Sequence, residues 1–148
     1  MSDIAGPKNT QTGEMAELSI IPHLNRQNYL FSHQYLIKNG SLKGTKKYID
    51  FLINDGERKI GIEMKWQQGN GTAEEKIPYI VILYKNLIER KLLDKAYIVL
   101  GGTDYTSTTT GWTLRNFYIN KLPEFLDYEG VEILNYEDFL AKINSRDL

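Results

Sequence analysis

Residues 46–67, KKYIDFLINDGERKIGIEMKWQ, decide the fold of this chain. Two runs rich in β-branched and aromatic residues, 46–54 and 58–67, flank Asp55-Gly56, a dipeptide that strongly favours a tight hairpin. With Asp55-Gly56 as the two loop residues, Asn54 pairs with Glu57, and Asp50 lies opposite Gly61. Side chains alternate along a strand, so one face carries Ile49, Phe51, Ile53, Ile60, Ile62, Met64 and Trp66. That apolar set marks the core side. The other face carries Tyr48, Asp50, Leu52, Gly61, Glu63, Lys65 and Gln67, which gathers two acids, an ammonium and an amide around the smallest residue.

In this register Asp50 and Glu63 are diagonal neighbours, with backbones about 7 to 8 Å apart and side chains free to converge. Two carboxylates held together need a counterion, and a hard divalent cation such as Mg²⁺, or Mn²⁺ in its place, satisfies both while keeping several waters. Lys65 extends from the same face. Its ammonium can orient an attacking water or stabilise charge building on a phosphate oxygen. Gln67 follows in the same row, placed to position that water. A Glu-x-Lys pair on a strand is by itself an ordinary solvated charge ladder; Asp50 argues otherwise, because Asp is disfavoured inside an apolar run such as IDFLI.

Outside the hairpin the chain reads as an alternation of helices and strands. Residues 1–12 form a polar leading segment, and Met15, Leu18 and Ile21 recur at helical spacing, with Thr12 as N-cap and Pro22 as the stop. A strand spans 28–37, joined to the hairpin by the Gly-rich basic turn 38–44. Thr72 and Glu75 make a capping box, followed by a short turn over 73–77 and a main helix from Pro78 to about Leu93. KAYIVLG at 95–101 reads as a buried strand, 103–111 as a polar loop, 113–126 as a helix, 131–134 as a short strand and 136–144 as a terminal helix. The expectation is an α/β fold, a mixed central sheet flanked by helices, in one domain over 1–148.

Composition narrows the function. The 148 residues include no Cys and two His, which removes disulfides, Cys-based zinc sites and thiol nucleophiles. His23 and His33 read as structural. The formal charge of −1 makes any nucleic-acid site local rather than a property of the whole surface. No apolar run approaches the roughly 18 residues of a membrane helix, and the first ten residues lack a signal-peptide core, so a soluble, cytoplasmic protein without a membrane partner is expected. Lys43, Lys46 and Lys47 fit either phosphate contact or a solvated turn.

Gly13-x-x-Ala16-Glu17 on the first helix, Asp50 in an apolar strand and Glu63-Met64-Lys65 after the hairpin resemble the PD-(D/E)XK nuclease superfamily. The resemblance spans about residues 13–101, and the predicted order of helix, three strands, helix and strand matches that superfamily's restriction-endonuclease-like core. Residues 102–148 then form a C-terminal helix-strand-helix extension. Ile49 stands where the name-giving Pro would be. The resemblance implies that Asp50 and Glu63 bind Mg²⁺, that Lys65 serves the attacking water and that Glu17 is an auxiliary acid. The stretch from Gly71 to Tyr79, with Gly101-Gly102 and Gly111-Trp112, is similar to small type II restriction endonucleases and implies that Glu75 and Lys76 lie near the site.

The function expected is a Mg²⁺-dependent endonuclease making restriction-type cuts in duplex DNA by direct attack of water. One site per chain implies a homodimer for cutting both strands. The loop 103–112 and the helix after it, with Arg115 and Asn116, are candidates to read base edges. Alternatives are a structure-specific, repair, junction-resolving or homing nuclease on the same core, a non-catalytic nucleic-acid-binding module, and a hydrolase of small phosphate esters. The absence of a GxxxxGKS cradle counts against nucleotide chemistry.

Overall fold

The alternation of strand-forming and amphipathic segments produces one five-stranded sheet with helices on both faces. The computed structural model describes residues 8–69 and 73–148, with side chains from residue 13 onward. The elements are α1 (Lys8–Ser19), α2 (Ile21–Arg26), β1 (Leu30–Ile37), β2 (Lys47–Asp55), β3 (Arg58–Gln67), α3 (Ile77–Glu89), β4 (Lys95–Gly102), α4 (Arg115–Asn120), β5 (Val131–Asn135) and α5 (Tyr136–Asn144). Two short 3₁₀ turns, Ala73–Lys76 and Leu122–Glu124, precede α3 and follow α4. The strands lie side by side in chain order, with β1, β2 and β3 antiparallel and β3, β4 and β5 parallel.

Both faces of the sheet are buried. Leu52, Ile98 and Leu100 pack beneath α3, against Ile77, Ile80 and Tyr84. Phe51, Ile53, Ile60, Ile62, Tyr97 and Val99 pack on the other side, against Ile20, Leu24, Phe139 and Ile143. The face expected to be distinguished only by polar residues is therefore also a core face, roofed by α3.

The hairpin forms, with its register two residues away from the expected one. Asp55 pairs with Arg58 and Leu52 with Gly61, so the loop residues are Gly56 and Glu57 rather than Asp55 and Gly56. Gly56 has φ 68°, which suits the first central position of a type II′ turn, where glycine is preferred. Because the slip is two residues, the side chains keep their faces. Ile49 is the exception: it joins Leu52 beneath α3 instead of lying with Phe51, so alternation breaks at Asp50.

Other expectations shift at their edges. Helix α1 begins at Lys8, which places Thr12 inside the helix rather than at its cap. Pro22 does not end the helical region; α1 stops at Ser19 and Pro22 sits in the first turn of α2, where a missing N–H costs nothing. Helix 113–126 shrinks to α4 and a 3₁₀ turn. Thr72 of the expected capping box lies outside the described residues; α3 starts without a side-chain cap and with Pro78 in its first turn. Strand β3 and helix α5 match their expected bounds. Among the described residues, no helix is long and apolar enough to cross a membrane.

Candidate active site

Strand polarity brings the candidate residues together. The end of β1, the start of β2 and the ends of β3, β4 and β5 all lie at one end of the sheet, so the segment 38–46, residues 68–69 after β3 and the segment 103–114 start from the same end. Toward this end the β2–β3 ladder stops at Phe51 and Ile62, although both strands continue. The Asp50 side chain takes over the next ladder position: its Oδ2 accepts the Met64 N–H at 2.7 Å. The strands part, and a carboxylate fills the opening.

Glu63 is 3 % exposed, a position a carboxylate tolerates only when its oxygens are bonded. Tyr84 donates its hydroxyl to Oε1 at 2.6 Å, Lys65 Nζ lies 3.2 Å from Oε2 and Lys47 Nζ 3.8 Å from Oε1. Burial and the Glu63 carboxylate push the Tyr84 phenol well above its ordinary value, which keeps it a donor. Gly61 makes this contact possible. A Cβ there would lie 2.7 Å from Leu93 Cδ1 and 3.2 Å from Tyr84 Cε1, so the glycine gives Leu93 and the Tyr84 ring room to rest close on β3.

Asp50 carries the opposite burden. Burial and the nearby Glu63 charge, with Glu17 adding to them, push its carboxyl up to about 8 against the lowering effect of the Met64 N–H. Glu17 comes from α1 and shares a cleft of about 170 Å³ with Gly13, Asp50, Met64, Lys65 and Trp66. It accepts hydrogen bonds from His33 Nε2 and, at 2.9 Å, from Gln34 Nε2. His33, read from sequence as structural, is thus part of the site's wall. His23 ties α2 to α5 through Asn144 at 3.0 Å.

The remaining candidates separate. Gln67 is buried, and its amide nitrogen donates to the Gly69 carbonyl at 2.7 Å. Lys47 stands at the acidic centre, while Lys43, Lys46 and Lys76 are exposed on the segments around it. Arg115 is engaged: its guanidinium pairs with Asp104 at 2.9 Å and approaches the Leu100 and Gly102 carbonyls. Glu75 is exposed on its 3₁₀ turn, and the neighbouring Glu74 does the structural work, accepting from the Thr113 and Leu114 N–H groups at 2.5 Å at the start of α4.

Sequence reasoning passed over Tyr84, Gln34, His33 and Glu74. Tyr84 did leave a signal, since it falls on the buried stripe of α3 and a buried phenol needs a partner. The donor set that results is all hard oxygen: Asp50 and Glu63, with Glu17 beside them. Among the described residues no three acids or imidazoles already form a closed metal cage. A pair of carboxylates suits Mg²⁺, which usually takes one or two and completes its shell with water or phosphate oxygens. The chemistry of the site fits that ion, because two carboxylates held close together are relieved by a divalent cation between them.

The sequence profile of the PD-(D/E)XK nuclease superfamily domain matches residues 8–146. Among curated proteins, none matches this chain in sequence. Among solved structures, the restriction endonuclease PspGI in complex with substrate DNA superposes with TM-score 0.54 at 14 % identity, over 95 % of this chain and 63 % of that one. A protein of unknown function gives TM-score 0.47 at 11 % identity, over 83 % of this chain and 57 % of the other. The small subunit of the heterodimeric restriction endonuclease R.BspD6I gives 0.44 at 18 %, over 96 % and 70 %. The chain thus spans about three fifths of the length of the first two structures it matches.

Proposed function

The chain belongs to the PD-(D/E)XK nuclease superfamily, and from that premise we propose that it is a Mg²⁺-dependent endonuclease cutting duplex DNA in a restriction-type, sequence-specific manner. The observation that carries the reading is the convergence of Asp50, Glu63 and Lys65 where β2 and β3 part. Nucleases of this superfamily are generally divalent-metal dependent. A duplex substrate is supported by the shared fold with PspGI, which was solved on DNA, and by the placement of Lys43, Lys46, Lys76 and Arg115 on segments at the same end of the sheet.

In this mechanism Asp50 and Glu63 would hold the cation, which when bound polarises a phosphate oxygen and acidifies neighbouring water. Lys65, 3.2 Å from Glu63 Oε2, would donate a hydrogen bond to an attacking water or to the phosphate. Lys47 neutralises the same centre from the β2 side. Tyr84 fixes Glu63 from beneath, and Gln67 orders the start of the segment that carries Lys76. In this reading water attacks phosphorus directly, without a covalent intermediate. With one site per chain, a homodimer cuts both strands.

The test is incubation of supercoiled plasmid with Mg²⁺ and wild-type, Asp50→Ala or Lys65→Ala protein. Discrete fragments from wild type, with at least about a hundredfold slower cutting by either variant, are expected. Undiminished cutting by Lys65→Ala contradicts its role, and preference for branched over linear duplex redirects the assignment to a structure-specific nuclease.

A further inference from the structure

Gln34 lies in the middle of edge strand β1 yet has φ 53°, a left-handed conformation that a residue of its type rarely adopts outside turns. Its neighbours keep strand pairing, His33 with Phe51 and Tyr35 with Ile49, so the distortion is confined to the level of Asp50. On β2 the same level is where Ile49 and Phe51 fall on different faces. In a regular strand His33 and Gln34 would point to opposite sides of the sheet. Here both reach one atom, Glu17 Oε2. The His33 ring is itself fixed against Phe51, with centroids 4.7 Å apart.

A tether between α1 and β1 needs only the His33 bond. The second bond, made by a residue in a strained conformation, adds nothing to a simple tether; with two donors on Oε2, the Glu17 carboxylate is held more tightly in the cleft it shares with Asp50. Strain kept at a candidate site points to positioning. We infer that His33 and Gln34 are positioning residues that lock Glu17 against Asp50 and so set the cation affinity of the Asp50–Glu63 pair. The inference rests on the proposed cofactor for its consequence and on the β1 geometry for its cause.

The experiment uses the full chain as wild type, Gln34→Gly, Glu17→Gln and the double variant, with Mg²⁺ alone as the calorimetric probe and urea unfolding in its absence. Glycine accepts the positive φ without cost and lacks the amide, so folding is preserved. Expected is Mg²⁺ binding about tenfold weaker in Gln34→Gly, with no lower urea midpoint and no further loss in the Glu17→Gln background. Unchanged Mg²⁺ affinity in Gln34→Gly, or an equal loss in both backgrounds, overturns the clamp. A wild-type chain that binds no Mg²⁺ contradicts the proposed cofactor, and the clamp is then decided by the metal-free cycle of Gln34→Gly with Glu17→Gln: a urea midpoint shift from Gln34→Gly that changes in the Glu17→Gln background supports it, and the same shift in both backgrounds overturns it.

Discussion

Asp50 sits where a carboxylate is least welcome: within an apolar strand, half-buried, and near two other acids. Its carboxyl rises from an ordinary value of 3.8 to about 8. Between these values the unfolded chain has released a proton that the folded chain still holds. Metal-free stability therefore falls as pH climbs from about 4 to about 8 and levels off above that window. Asp50→Asn removes the titration while keeping an oxygen for the Met64 N–H. The variant is expected to flatten the pH dependence and to exceed wild type at pH 8 by on the order of 3 kcal/mol, while losing cleavage. Urea unfolding at pH 5, 6.5 and 8 checks it; parallel curves for the two proteins contradict it. Asp50 was legible in the sequence because an acid inside IDFLI breaks strand preference. Gln34 was not, since no residue-level rule marks a glutamine that adopts a left-handed φ in mid-strand.

Between elements, the contact that matters most is α3 against β3. Leu52, Ile98 and Leu100 supply the apolar floor, and Gly61 opens the slot through which Tyr84 reaches Glu63. Tyr84→Phe strips a buried carboxylate of a donor and is expected to lower stability by about 1–3 kcal/mol. Gly61→Ala crowds Leu93 and the Tyr84 ring together and is expected to lower it by a similar amount, about 1–3 kcal/mol. Because both changes touch the Tyr84 ring, the double variant should fall short of the sum in urea unfolding; full additivity contradicts the shared contact. At this scale the sequence was readable wherever period and turn chemistry agreed, as in β3 and α5. It misled where local rules left a choice: both Asp55-Gly56 and Gly56-Glu57 can close the hairpin, and the observed register, with Asp55 paired to Arg58, uses the second. The resemblance directed attention to Glu75, and nothing in the sequence marked Glu74, because its tie across to Thr113 spans 39 residues that no local rule connects.

Across the whole molecule, the parallel run of β3, β4 and β5 and the antiparallel entry of β1 and β2 place every loop that carries a candidate DNA contact at one end of the sheet. Element order was legible because each segment kept its own periodicity, and the restriction-endonuclease-like architecture followed from it. Burial on both faces was hidden, since the strands beneath α3 mix Leu52 with Asp50 and Glu63 and look half solvated when read alone. In the proposed reading the parted strands hold one divalent cation between Asp50 and Glu63. Crystals grown with Mn²⁺ and measured for anomalous scattering decide it: a peak is expected within about 2.0–2.3 Å of a carboxylate oxygen of each residue, and well-ordered carboxylates with no peak between them would contradict it.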